Sequence, residues 1–411
     1  QKILLHCVKR FNEMRTELTE ILIAEGGKPS KAAAAEVERL INTFQIAADA
    51  VTQLDDGRMI PLAVTAAASG YQGMMKYAPI GAVSLISPFN FPLNLTAHKI
   101  APAIAAGCPF VLKPASLTPI SALKIAEVLA ETDLPKGAFS ILPCPREHAD
   151  VLVTDDRFKL LSFTGSDVVG WDMKARAGRK KVILELGGNA AVMIDADTEI
   201  NDTLVNRLIG GAYNHAGQEC LSEQRTSVHA DVYAELKKKL VTQLKKIKAA
   251  DPRLDSTLVG PMIKESEALR LKKWVDKAVE KGANLLVGGE LNGVMFEPTL
   301  LENVDDSLEV YKDEVFGPVA IIEKYESFEQ GIERINSSRF GLQAGVYTQN
   351  LNKMLYAWDH LHVGGVIIND IPSFRVDNMP YGGVKDSGLG REGVQYAIRD
   401  MQEQRILAIK R

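Results

Sequence analysis

The 411-residue sequence predicts an α/β protein built as two parallel-sheet domains, and three observations carry that reading. From Gly81 onward, short apolar runs alternate with helical stretches of about ten to fifteen residues. The same alternation resumes at Ala190. The length, with 46% apolar residues, also exceeds what one hydrophobic core usually holds. Strands that return through a helix lie parallel, and a parallel sheet covered by helices is the usual frame for a dinucleotide.

Each element follows from local pattern. Residues 1–55 read as helices, because Ile3, Leu4, Cys7, Val8, Phe11 and Met14 recur at helical spacing. Over 58–80 the pattern becomes strand-like, with Gly70 and Gly73 as turn points. Then 82–86 reads as a buried strand, 94–106 as a helix, 109–112 as a strand and 118–131 as a helix. A strand at 139–142, a helix at 146–154 and a strand at 160–163 follow, the last opening into Thr164-Gly165-Ser166. The second half starts with a strand at 190–194 and a helix over 200–215 that delivers the loop bearing Cys220. Helices at 237–248 and 264–281 come next, with strands near 284, 295 and 318. Near the end, Ile406, Leu407 and Ile409 form an apolar strand whose unpaired edge is a liability unless another subunit covers it, so a homodimer or homotetramer is expected.

Composition removes several classes of function. The net charge is −4, so no global field draws nucleic acid or a membrane surface. The lysine-rich helix at 237–248 has no interleaved aromatic residues to stack on bases and reads as a solvated face. Cys7, Cys108, Cys144 and Cys220 are widely spaced and form no CxxC pair or His-rich cluster, so neither disulfides nor a metal site is expected and a reducing cytoplasm fits best. No apolar run is long enough to span a bilayer, and the start lacks the pattern of a secretory signal.

Three segments supply groups suited to covalent chemistry on a carbonyl. Cys220 follows Ala216-Gly217-Gln218-Glu219, a small-residue loop where backbone can approach a substrate, and its thiolate is a nucleophile. Asn90, within Pro88-Phe89-Asn90-Phe91-Pro92, is either a donor to an oxyanion, together with the Cys220 N–H, or a cap of the helix that follows. Glu185 leaves the apolar strand Val182-Ile183-Leu184 at Gly187-Gly188 and is either a helix-cap partner or a base with a pKa raised by burial. Phe163-Thr164-Gly165-Ser166 opens a helix after a strand, where free N–H groups and the helix dipole attract phosphate.

Together, in this order, these segments resemble the aldehyde dehydrogenase superfamily, and the resemblance runs along almost the whole chain. It implies a Rossmann-like cofactor domain over 1–186 that includes a β-hairpin at 58–80 for oligomerisation. A catalytic domain follows over 187–382, and 383–411 returns to the cofactor domain and forms the C-terminal oligomerisation strand. Relatives usually carry several dozen residues before the position of Gln1, so an upstream segment is expected. The implied reaction has Cys220 add to an aldehyde, hydride leave to the nicotinamide of NAD or NADP, and Glu185 activate water to cleave the thioester. The same resemblance assigns Lys113 to the adenine-side ribose, Gly165 and Ser166 to the phosphates, and Glu314 and Phe316, in Glu314-Val315-Phe316-Gly317-Pro318, to the nicotinamide ribose and ring. Many relatives have a glutamate three residues after the lysine that excludes a 2′-phosphate; Ser116 stands there, so NADP should be tolerated. In Pro380-Tyr381-Gly382-Gly383, Tyr381 occupies a position where phenylalanine is common.

For the substrate, Arg375 falls in the loop that usually borders the aldehyde entrance, where a guanidinium can bind a carboxylate, phosphate or sulfonate. Glu219 beside the nucleophile opposes an anion unless it pairs with Arg375. The expected substrate is therefore a small polar aldehyde, and Tyr213 and His215 are further candidates for the entrance. Two alternatives remain: a reductase of an activated acyl group, which Glu185 argues against, and a catalytically silent binding protein on the same fold.

Overall fold

The computed structural model describes residues 1–53 and 57–411; positions 54 and 55 of the expected N-terminal helical segment lie outside the described residues. Two large sheets organise the chain. One has six strands in the order Gly388–Leu389, Lys181–Glu185, Leu160–Thr164, Val83–Ile86, Phe110–Lys113 and Phe139–Ile141. Its strands are parallel except Gly388–Leu389, which pairs antiparallel through Gly388 opposite Glu185. Alternating side chains serve opposite faces: Leu160 joins a core with the helices Lys2–Glu13, Ser30–Val51 and Asn94–Ala106, whereas Leu161 and Phe163 pack against Met173 and Ala177 at the helix Asp167–Arg176 and just beyond it.

The second sheet has seven strands, ordered Asn284–Val287, Thr299–Glu302, Val319–Tyr325, Glu223–His229, Ala190–Ile194, Gln343–Tyr347 and Gly365–Ile368. Its central strands are parallel and carry their own core with Val192, Val228, Leu301 and Ile321. A third, antiparallel sheet joins Arg58–Pro61, Tyr71–Pro79 and Gln402–Lys410, with Tyr71 opposite Lys410 and Pro79 opposite Gln402. The expected α/β class and both parallel sheets are therefore present.

Several expectations need correction. The stretch 146–154 is a 3-10 turn, Arg146–Ala149, followed by one short helix, Asp150–Thr154. The basic helix begins earlier than read: Ala230–Leu244 starts where the His229 ring accepts from the Asp231 N–H, and it is anchored by buried Leu236, Leu240 and Leu244 at i, i+4 and i+8. Gly73 is not a turn point; it lies within the strand Tyr71–Pro79, opposite Ile60. Asn369, expected from sequence in a strand that ends near the thiol, lies just past the strand Gly365–Ile368, accepts from the Thr348 N–H at 3.0 Å and faces a cleft without Cys220.

Candidate active site

The C-terminal ends of the six-stranded sheet face the loop that follows the helix Asp202–Tyr213, and between them lies a cavity of about 500 Å³. Cys220, Glu185 and Asn90 all open on it, as do Gly165, Ser166, Glu314 and Phe316. Open parallel sheets place ligands at this end because strands terminate there and helices begin, which leaves backbone donors free.

The nucleophile loop is held in an unusual backbone form. His215 and Ala216 have φ of 50° and 54°, and Gly217 follows at 64°, so three successive residues are left-handed. Each non-glycine member costs about 1–2 kcal/mol, which surrounding packing must offset. A side chain at Gly217 would sit 2.2 Å from the Gly317 carbonyl oxygen, and one at Gly188 would sit 2.3 Å from that of Cys220. Close backbone approach therefore explains two glycines flanking the thiol.

Asn90 is buried and its Nδ2 donates to the Gln218 carbonyl at 2.9 Å, which ties its loop to the nucleophile loop. It does not cap the helix Asn94–Ala106; the N–H groups of Leu93 and Asn94 donate to Glu36 instead. Glu185 ends its strand with both carboxylate oxygens buried and without a hydrogen-bond partner. Burial first, and then the nearby Glu392, push its pKa well above the usual carboxylate range, against the opposing charges of Arg375, Lys99 and Arg391. The Cys220 sulfur lies 3.1 Å from the Tyr381 hydroxyl. Burial pushes the thiol up to about 12, the Tyr381 hydrogen bond and Arg375 oppose this, and Glu314 and Glu185 add to it. Burial thus favours the neutral form of both the nucleophile and the base in the free protein.

Residues suited to a nicotinamide dinucleotide line the same cavity, except Lys113 and Ser116, which are not on its wall although Ala115 between them is. Ser166 is extended at the start of the helix Asp167–Arg176, and no side chain caps that helix, so its first N–H groups remain for a phosphate. Asp167, in its first turn, is neutralised by Arg339. Glu314 accepts from the Gly188 N–H at 2.8 Å through Oε1, which leaves Oε2 for a ribose hydroxyl, and burial raises its pKa to about 8 despite that bond. A side chain at Gly187 would come within 2.5 Å of this carboxylate. Phe316, at φ 48°, packs edge-on to Phe89 at 5.8 Å. Lys113 ends its strand with Nζ donating to the Pro114 carbonyl, and Ser116 beyond it is exposed. These groups fit the cofactor.

The expected Glu219–Arg375 pair does not form. Glu219 accepts from Asn214 Nδ2 at 2.9 Å, whereas Arg375 is buried, donates to Glu392 at 3.0 Å and lies 3.7 Å over the Tyr381 ring. Burial raises the pKa of Glu219 against the charge of Lys28, which weakens the anion beside the nucleophile. Tyr213 is not at an entrance: it is buried and donates to the Thr299 carbonyl. His215 lies beyond the helix end, buried and edge-on to Phe91. Sequence reasoning missed Arg270, Trp274 and Arg339 on the cavity wall, which belong to no motif, and it missed the contact of Tyr381 with sulfur.

The profile of the aldehyde dehydrogenase family matches residues 1–407. A 3-sulfolactaldehyde dehydrogenase of Priestia aryabhattai is 40% identical over 411 residues, covering 99% of this chain and 85% of that protein. The crystal structure of aldehyde dehydrogenase 21 from Physcomitrella patens, in complex with the reaction product succinate, superposes with a TM-score of 0.98 at 49% identity, covering 100% of this chain and 85% of that one. A glyceraldehyde-3-phosphate dehydrogenase of Methanocaldococcus jannaschii complexed with NADP gives a TM-score of 0.94 at 38% identity, covering 100% and 89%. On the family match and these relatives, this chain belongs to the aldehyde dehydrogenase family.

Proposed function

We propose that this NAD(P)-dependent aldehyde dehydrogenase oxidises a small polar aldehyde to its acid through Cys220, with Glu185 as base and Asn90 as oxyanion donor. The observation that carries the assignment is that all three side chains open on one cavity, at the foot of an uncapped helix N-terminus. The bound dinucleotide supplies a hydride acceptor. The thiolate of Cys220 adds to the aldehyde carbon, and the oxyanion of the thiohemiacetal receives the Cys220 N–H and the second Nδ2 hydrogen of Asn90, which the Gln218 bond leaves over. Oxidation of that adduct leaves a thioester on Cys220. Glu185 then takes a proton from water as the water attacks, and the acid departs with the thiolate restored.

A polar substrate is supported by charge. Arg375, although paired with Glu392, biases the thiol toward its anion against Glu314 and Glu185, a contribution that suits a carboxylate or sulfonate tail. Burial raises the pKa of Glu219, which lessens its repulsion of such a tail. The names of the relatives, sulfolactaldehyde dehydrogenase and an enzyme with bound succinate, lie in the same chemical class. Measuring kcat/KM for lactaldehyde, succinate semialdehyde and a long alkanal tests the reading; preference for the alkanal would overturn it.

For the cofactor, Ser116 sets no carboxylate against a 2′-phosphate, so we assign use of NADP as well as NAD. Introducing a negative charge by Ser116→Glu should lower kcat/KM for NADP by about tenfold or more and leave that for NAD within about twofold, since charges a few ångströms apart at a protein surface interact by about 1–4 kcal/mol. We also assign a homo-oligomer, because Ile406, Leu407 and Ile409 are about half exposed along an outer strand of the antiparallel sheet. Light scattering should return a dimer or tetramer mass. No described helix is long and apolar enough to cross a membrane.

A further inference from the structure

Tyr381 is placed more firmly than a packing residue requires. Its backbone N–H donates to the Glu392 carbonyl at 3.0 Å, and the Glu392 N–H donates back to the Tyr381 carbonyl at 2.6 Å. The Glu392 carboxylate in turn holds Arg375 at 3.0 Å, and the Arg375 guanidinium lies 3.7 Å over the Tyr381 ring. Lys99 reaches the same carboxylate at 3.4 Å. The ring is thus gripped at its backbone and on one face by charges that are themselves paired and almost wholly buried. Among the described residues, the only hydrogen-bond partner of its hydroxyl is the Cys220 sulfur.

We propose that Tyr381 is a catalytic residue whose hydroxyl donates a hydrogen bond to the Cys220 thiolate, and that Arg375 is a positioning residue that fixes the ring and strengthens the phenol as donor. The proposal rests on Cys220 being the nucleophile and adds a group to that step. The direction of the bond follows from acidity. Burial, then the Cys220 charge, raise the Tyr381 phenol well above its ordinary value, which favours the protonated phenol, and a thiolate carries no proton and can only accept. The other charged groups facing sulfur act in both senses: Glu314 and Glu185 disfavour the anion, and Arg375 favours it. Asn90 carries no charge. Among the described residues, Tyr381 is therefore the one side chain hydrogen-bonded to the sulfur that can offset two carboxyl groups. A cation over the ring withdraws electron density from the phenol and makes its O–H a better donor. A phenylalanine at this position would fill the same space and leave sulfur without that partner.

The test is a titration of the Cys220 thiolate in the full chain, by ultraviolet absorbance in difference against Cys220→Ser, from neutral to strongly alkaline pH. Alkylation of the Cys220 peptide by iodoacetamide, read by mass spectrometry, runs in parallel. Tyr381→Phe removes a single oxygen. It should require a solution about one pH unit more alkaline for the same thiolate fraction, and alkylation at mildly alkaline pH should slow about tenfold. Arg375→Gln should shift the titration in the same direction by less, and Arg375→Lys should recover part of that shift. Circular dichroism and Tm establish that each variant is folded; should the arginine variants fail this check, the Tyr381 arm decides alone. An unmoved thiolate titration in folded Tyr381→Phe overturns the proposal, as does slower alkylation with an unmoved titration, which would mark the hydroxyl as a matter of access. Failure of the underlying assignment reads differently: Cys220→Ser would then keep its turnover.

Discussion

Cys220→Ser should lower kcat by at least about a thousandfold with every aldehyde, while leaving the fold and cofactor binding in place. Serine keeps the size and a hydroxyl in place of the thiol, so the loop His215–Gln218 and its left-handed residues are undisturbed. The chemistry is what changes. A thiol pushed up to about 12 still ionises far more readily than an alcohol in the same apolar setting, and sulfur is the better nucleophile at carbonyl carbon. Cofactor binding survives because Glu314, Ser166 and Lys113 lie on other segments. Production of reduced nicotinamide, together with Tm in the presence and absence of cofactor, checks both halves of the expectation. Turnover within about tenfold of the parent would eliminate covalent catalysis through this residue and return attention to non-covalent hydride transfer or to a silent protein. Loss of cofactor-dependent stabilisation would instead mean that the site had collapsed.

Much of this site was legible in sequence because its parts sit at places where local pattern and chemistry coincide. The strands Val83–Ile86, Phe110–Lys113 and Leu160–Thr164 are packed on both faces and so read as short, nearly unbroken apolar runs ending in polar residues. Glu185 and Gly165 stand where such runs stop. The strand Glu223–His229 was missed for the opposite reason. It is central and almost wholly buried, yet six of its seven residues are polar or charged. They are tolerated because the fold supplies partners: Thr226 donates to Glu223, Ser227 to Glu323, Gln224 to the carbonyls of Val310 and Asp313, and Arg225 to Tyr311. Apart from Glu223, which lies in the strand itself, those partners come from distant parts of the chain, so no window of sequence contains the whole reason the strand is stable. Tyr381 is a similar case. Its motif was visible as a glycine-rich packing segment, but the sulfur it meets is 161 residues away. Arg375 illustrates the limit for charges: sequence set it in the loop that borders the aldehyde entrance, whereas its side chain is buried, is not among the residues lining the cavity, and pairs with Glu392 instead of Glu219 through a segment held by the backbone bridge between Tyr381 and Glu392.

Glu185→Gln should separate the two halves of the reaction. The amide keeps nearly the volume of the acid, and since neither carboxylate oxygen has a partner, no existing hydrogen bond is lost. Thiolate addition and hydride departure do not use this group, so one equivalent of reduced nicotinamide should appear at close to the parent rate. Hydrolysis of the thioester then lacks its base, and steady turnover should fall by about a hundredfold to ten-thousandfold. The pH profile adds a sign. Burial and Glu392 raise the pKa of Glu185, and the basic form is the carboxylate, so hydrolysis by the parent should quicken as pH rises through that raised value and slow as pH falls below it. The variant should lose that rise in the hydrolytic step while keeping the alkaline rise of the addition step, which belongs to the Cys220 thiol. Rapid-mixing measurement of the burst and of the slow phase across pH resolves the two. A variant slowed equally in burst and steady state would place Glu185 in the addition step, as the group that takes the thiol proton, and a variant slowed in neither would leave water activation to some other residue.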